Sequence, residues 1–144
     1  MREFKNPAAT VDIIIEKKDK ILLVKRKHQP YQGCWALPGG FLEYGKESLE
    51  QAARRELREE TSMVVEIEDL ALFGNYSSPG RDPRGHVISH AYYAKNFNGI
   101  EKADDDAKEL TYFPINNLPE LAFDHGKIIK DFLAWKESLG GRKC

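Results

Sequence analysis

Two apolar runs open the chain, "TVDIIIE" at residues 10–16 and "KILLVKR" at 20–26, with "KKD" between them. Both are rich in β-branched and aliphatic residues, and the polar break predicts a hairpin. From Lys27 to Gly45 the pattern changes: Pro30, Gly33, Pro38, Gly39, Gly40 and Gly45 punctuate it, with Tyr31, Trp35 and Phe41 interleaved. A loop-rich stretch of that length inside a compact domain is usually functional. A helix is predicted from about Ser48 to Thr61. "VVEIEDLALFGNY" and "HVISHAYYAKNF" follow as strands, joined by the turn-rich "SSPGRDPRG". "ELTYFP" is a short strand stopped by Pro114. In "DHGKIIKDFLAWKESL", Asp124 is a candidate N-cap. Ile128, Phe132, Trp135 and Leu139 recur there at helical spacing, a stripe that reads as core packing. "GGRKC" reads as a frayed tail. Strands and helices mix without strict alternation, which predicts an α/β (α+β) fold with a mixed sheet between helical layers, and argues against a doubly wound sheet.

Length and composition narrow the classes. A chain of 144 residues with 41% hydrophobic and 31% charged residues fits one globular domain spanning 1–144. A net charge of -1 gives no whole-chain attraction to nucleic acid or to a membrane surface. The longest aliphatic runs are too short to span a bilayer. The opening "MREFKNPAAT" lacks the apolar core of a signal peptide, so the expected setting is cytoplasmic. Cys34 and Cys144 form neither a metal-spaced motif nor a disulfide framework.

The segment "AARRELREET" holds the most pointed chemistry. Glu56, Glu59 and Glu60 are neighbours at helical spacing, where like charges weaken a helix by roughly 0.2–0.5 kcal/mol per pair. On a wheel with Leu49 at zero, Ala53, Leu57, Ala52 and Met63 define an inward face. Glu56 falls at about 340° and Glu60 at about 20°, inside that arc, while Glu59 lies at its edge beside Arg55. Burying an unpaired carboxylate costs several kcal/mol. Such a pair must protonate, find a basic partner or bind a cation. A divalent ion fits best, because it compensates several carboxylates at once. All-oxygen ligands point to Mg²⁺, with Mn²⁺ as the alternative. Metal-assisted attack of water on a phosphoryl group is the chemistry this suggests.

The stretch "GGFLEYGKESLEQAARRELREETSM" resembles the Nudix box, which reads Gly, five residues, Glu, seven residues, then Arg-Glu-aliphatic-x-Glu-Glu-x-Gly-aliphatic. Arg55-Glu56-Leu57-Arg58-Glu59-Glu60 matches its second half. Counting back from Arg55 reaches Glu47, whereas counting forward from Gly40 reaches Lys46, so the loop carries one extra residue. Ser62 replaces the terminal glycine. The resemblance implies a Nudix-type α/β/α sandwich. It implies Glu56, Glu59 and Glu60 as metal ligands, joined by a backbone carbonyl of Gly39 or Gly40, with Gly40 taken first. It also implies a structural pair between Glu47 and Arg55. "SSPGRDPRGHVIS", and "DDDAKELTYFP" with "LAFDHGKII", resemble the ADP-ribose pyrophosphatase branch. The implied reaction is cleavage of ADP-ribose to AMP and ribose 5-phosphate. Members of the family are often homodimers.

Other residues enter as candidates. Arg81 and Arg84 suit a diphosphate, against the alternative of a solvated turn. Trp35, Phe41, Tyr76 and Phe123 are candidates to stack on adenine, against the alternative of core packing. Of these, Trp35 and Phe41 are preferred. Glu109, and after it Asp106, are the choices for the base that assists water, from the acidic loop that also holds Asp104 and Asp105. His86 and His90 lack convergent metal ligands. Two alternatives stand beside ADP-ribose hydrolysis. One is a Nudix hydrolase of an oxidised nucleoside triphosphate, a dinucleotide or a nucleotide sugar. The other is a regulatory module that binds ADP-ribose without cleaving it.

Overall fold

A computed structural model describes residues 3–99 and 109–140. The first run forms strand β1 (Ala8–Ile14) and, after a one-residue break, β2 (Glu16–Lys17), which turns into β3 (Lys20–Lys25). Lys18 and Asp19 both take positive φ, 51° and 61°, as a tight two-residue hairpin turn between right-twisted strands requires. β4 (Trp35–Ala36) and β5 (Gly39–Phe41) are short pieces of the glycine-rich segment. Helix α1 (Leu49–Thr61) follows. A 3₁₀ turn over Ile67–Asp69 leads into β6 (Leu70–Tyr76), then β7 (Val87–Ala94), β8 (Leu110–Pro114) and α2 (His125–Gly140).

The mixed sheet has the order β5-β1-β7-β6, with β1 parallel to β7 and antiparallel to β5. A second sheet stands beside it, which the hydrophobic pattern did not separate from the first. In it β3 pairs with β8 along one edge and with β2 and β4 along the other. The chain passes between the sheets at Ile15, whose carbonyl accepts the Leu22 N–H at 3.0 Å.

Strand periodicity sorts the core into two layers. Val11, Ile13, Ile15 and Leu22 join Ala52, Ala53 and Leu57 of α1. Ile14, Ile21 and Leu23 join Ile128, Ile129 and Phe132 of α2. The strands thus lie between helices, as in the expected sandwich. Asp12 falls on the α2 side of β1 with only 6% exposure, a charged residue where the alternation calls for an apolar one.

Helix α1 is held at both ends. Ser48 Oγ accepts the Gln51 N–H at 3.2 Å and Gln51 Oε1 accepts the Ser48 N–H at 2.8 Å, a capping box. At the far end Ser62 sits in the left-handed region with φ 65° and ψ 8°, where a non-glycine residue costs roughly 1–2 kcal/mol. Ser62→Gly is expected to stabilise the fold by about 1 kcal/mol, measured as an upward shift of the urea unfolding midpoint.

Candidate active site

Helix α1 turns Glu56 and Glu60, the two residues that the wheel places inward, toward β5. Glu56 and Glu60 are half-buried and Glu59 is exposed. Glu60 Oε2 accepts the Gly39 N–H at 3.1 Å. Gly40 lies so close to the Glu56 carboxylate that a side-chain methyl there would overlap it. At Gly39 a methyl would overlap the Val11 carbonyl on the opposite face. Two successive glycines thus let the strand pass between the glutamates and β1.

Arg55 is the basic partner. Its Nε and Nη2 donate to the two Glu47 oxygens at 2.9 and 2.8 Å, which is the pair the resemblance implied. Nη1 donates to Glu56 at 2.9 Å and to Glu59 at 3.2 Å. The sequence reading preferred a divalent ion over a basic side chain for these carboxylates, and the structure puts an arginine against two of them. One guanidinium still carries a single positive charge against Glu47, Glu56 and Glu59 together. Among the described residues no three acidic, imidazole or thiol groups form a ready-made metal cage. Mg²⁺ does not require one, since it usually takes one or two carboxylates together with water and substrate phosphates.

Bonding to Arg55 pulls the Glu47 carboxyl down from 4.5 to about 2. A depressed carboxylate adds stability above its unfolded value and loses it as pH falls through the folded one. The melting temperature is therefore expected to drop between pH 4.5 and 2. Glu47→Gln should flatten that segment of the curve in a calorimetric pH series.

On the other face of β5 a pocket opens, lined by Asp12, Arg26, Phe41, Arg84, Phe123 and His125 among others. Arg26, Leu37 and Gly39 also line a second pocket, which holds Lys25, Lys27, His28 and Glu60. The two form one groove running from Glu60 past Gly39 to Asp12. Planar groups alternate along its wall. The Arg84 guanidinium lies 4.7 Å from the Phe41 ring centre and 5.3 Å from that of Phe123, and Arg26 lies 4.9 Å from Phe123. These spacings are within cation–π range.

The candidate diphosphate arginines are both here, and both are paired. Arg81 donates twice to Asp124, at 2.9 and 2.5 Å. Burial opposes its charge, but Asp124 outweighs burial and raises its pKa. Asp124 precedes α2 as expected, yet its carboxylate is engaged by Arg81. Arg84 bonds Asp82 at 2.8 Å, and that contact holds the Asp82 carboxyl down in spite of burial. The pKa of Arg26 is lowered by burial and by Arg84 nearby.

Of the aromatic candidates, Phe41 and Phe123 line the groove. Trp35 packs edge-on to Phe113 at 4.9 Å, and the Tyr76 hydroxyl donates to Asp131 at 2.9 Å, so both serve the α2-side core. Glu109 is exposed at the start of β8, with Oε1 3.8 Å from Lys25 Nζ at the groove rim. Asp104, Asp105 and Asp106 lie outside the described residues. His86 and His90 hydrogen-bond to Ser77 and Asn75, away from the pocket.

Asp12, Arg26 and His125 were not picked from the sequence. The one signal for Asp12 was a lone charge at an inward position of an apolar strand. His125 is buried, and burial lowers its pKa. Its Nδ1 accepts the Leu37 N–H at 3.0 Å, which leaves the proton on Nε2, 3.5 Å from Asp12 Oδ1.

A family model described as "NUDIX domain" matches residues 6–135. An ADP-ribose pyrophosphatase of Methanocaldococcus jannaschii is 56% identical over 94% of this chain and 78% of its own length. Among solved structures, the NUDIX domain of Shewanella oneidensis NrtR complexed with ADP ribose superposes with a TM-score of 0.78 at 31% identity, covering 91% of this chain and 89% of that one. A bifunctional NMN adenylyltransferase/ADP ribose pyrophosphatase of Francisella tularensis, complexed with AMP and a Mn ion, gives a TM-score of 0.75 at 36% identity, covering 92% of this chain and 43% of that one.

Proposed function

The chain belongs to the NUDIX family, and from that premise we propose that it hydrolyses ADP-ribose to AMP and ribose 5-phosphate with Mg²⁺. One observation carries the reading: half-buried Glu60, with Glu56 against Gly40 beside it, adjoins across Gly39 a groove walled by arginines and aromatic rings. Similarity to an ADP-ribose pyrophosphatase over most of the chain supports the substrate.

The donors fit a hard divalent cation. Glu56, Glu59, Glu60 and the Gly40 carbonyl offer only oxygen, and the missing side chain at Gly40 lets the Glu56 carboxylate lie against the backbone. These residues would hold the ion, Glu59 turning from Arg55 to join. When bound, the ion supplies charge neutralisation on the phosphate oxygens and lowers the pKa of water. Arg26, Lys25 and Lys27 beside Glu60 offer positive charge to the diphosphate. Arg81 and Arg84 reach it by exchanging an aspartate for a phosphate oxygen. Phe41 and Phe123 present rings to the adenine. Glu109, with Asp106 second, takes the proton as water oxygen attacks one phosphorus. The anhydride P–O bond breaks, and the other phosphate leaves with its sugar.

The test is product identity. The protein is incubated with Mg²⁺ and, separately, ADP-ribose, an oxidised nucleoside triphosphate, a dinucleotide and a nucleotide sugar. AMP and ribose 5-phosphate in equal amounts, formed fastest from ADP-ribose and stopped by EDTA, is the expected result. Intact ADP-ribose with saturable binding would make the protein a sensor, and faster cleavage of another compound would reassign the substrate.

A further inference from the structure

Asp12 is a buried acid that the hydrolytic chemistry does not use. It is 6% exposed and lines the groove one glycine away from the catalytic face. Gly39 N–H bonds Glu60, while a side-chain methyl on Gly39 would come 2.8 Å from Asp12 Oδ1 on the opposite face. The two Asp12 oxygens are treated differently. Oδ2 receives the Ser89 hydroxyl. Oδ1 has His125 Nε2 at 3.5 Å, beyond normal hydrogen-bond length. Asp12 lines the pocket, so Oδ1 can take a further donor from a bound group.

Three kinds of substrate group compete for that position. A phosphate is drawn to the arginines of the same wall, Arg26, Arg81 and Arg84, and not to the Asp12 carboxylate. A purine is held by its faces against the planar groups of the same wall, Phe41 and Phe123 with Arg84 between them. That leaves the sugar, the group bonded directly to the diphosphate in either half of the substrate. A diphosphate beside Glu60 leaves only the width of the Gly39 backbone before Asp12. Thr10, two residues earlier on the same face of β1, also lines the pocket and adds a second polar group.

Resting on the reading of the site as a diphosphate hydrolase, we propose that Asp12, oriented by Ser89 and His125, accepts a hydrogen bond from a ribose hydroxyl and selects ribosyl over deoxyribosyl substrates. Either sugar of ADP-ribose offers that chemistry, and the experiment separates them. kcat/KM is measured for ADP-ribose and for analogues lacking the 2- or 3-hydroxyl of either the adenosine sugar or the terminal sugar. One analogue is expected to lose about 10- to 100-fold, the effect of one hydrogen bond to a charged acceptor, and it identifies the sugar. Asp12→Asn should bring ADP-ribose down to the level of that analogue while changing the analogue itself little, because the two losses are one interaction. Equal kcat/KM across the sugars in the wild-type protein overturns the proposal whether or not the variant folds. So does a loss that appears only when hypoxanthine replaces adenine. Absence of any ADP-ribose cleavage would instead defeat the functional reading. The sugar assignment is then decided by calorimetric binding of AMP against its 2- and 3-deoxy forms, and of ribose 5-phosphate against its own. A preference for the hydroxylated ligand upholds it and equal affinities overturn it.

Discussion

Glu60→Gln is expected to lower Mg²⁺-dependent turnover of ADP-ribose by roughly 10²–10⁴-fold, the several kcal/mol that charge stabilisation at a phosphoryl group is worth. The amide keeps the size of the side chain and an oxygen able to accept the Gly39 N–H, now at 3.1 Å from Glu60, so the fold should survive. What it removes is a negative charge on the face turned to β5. Steady-state kinetics over a Mg²⁺ titration, with circular dichroism to confirm folding, checks both halves. A variant with wild-type kcat at every metal concentration would remove Glu60 from the mechanism. Glu68→Gln, on the 3₁₀ turn after α1, serves as the control and should leave turnover unchanged.

The largest effect on stability is expected at Phe132. Its side chain is fully buried and meets the rings of Tyr93, Phe73 and Trp135 at 5.0, 5.6 and 6.2 Å between centres. Phe132→Ala removes this aromatic contact and leaves a cavity, at a cost of about 3–5 kcal/mol. That is a large share of the roughly 5–15 kcal/mol that holds a domain together, and it should lower Tm by about 10–20 °C. The groove is lined by other residues, so activity measured well below the new Tm should persist. Differential scanning calorimetry and low-temperature kinetics together test this. A shift of under about 2 °C would mean that α2 contributes little to the core.

The parts of the molecule legible in the sequence are those encoded by local period. The α1 wheel put Glu56 and Glu60 on the inward face because 3.6-residue spacing is a property of the segment alone. The first hairpin was legible for the same reason, and so was the stripe of α2 except at its end, where Leu139, read as core, is 50% exposed. The second sheet was not, since whether β1 and β3 share a sheet depends on how the chain bends at Ile15. Asp12 was passed over because its partner Ser89 is far away in sequence, and no short-range pattern ties the two. Asp124 shows a local rule overridden: its position suits a helix cap, but a buried arginine across the pocket has the stronger claim on its carboxylate. Arg55 shows how contact geometry adds what spacing cannot, since one guanidinium serves Glu47, Glu56 and Glu59 at once.

The alternation of Gly39 and Gly40 gives the molecule a partition one peptide thick. Gly40 abuts Glu56 on one surface and Gly39 abuts Asp12 on the other. In the proposed mechanism the metal-holding carboxylates are carried by α1, and the groups proposed to select the sugar by β1, β7 and the start of α2. A lineage could therefore retune which compound it accepts by substitutions on β1 and β7 alone, with the bond-breaking half inherited unchanged. An engineer seeking a new substrate has the same freedom, provided the two glycines stay.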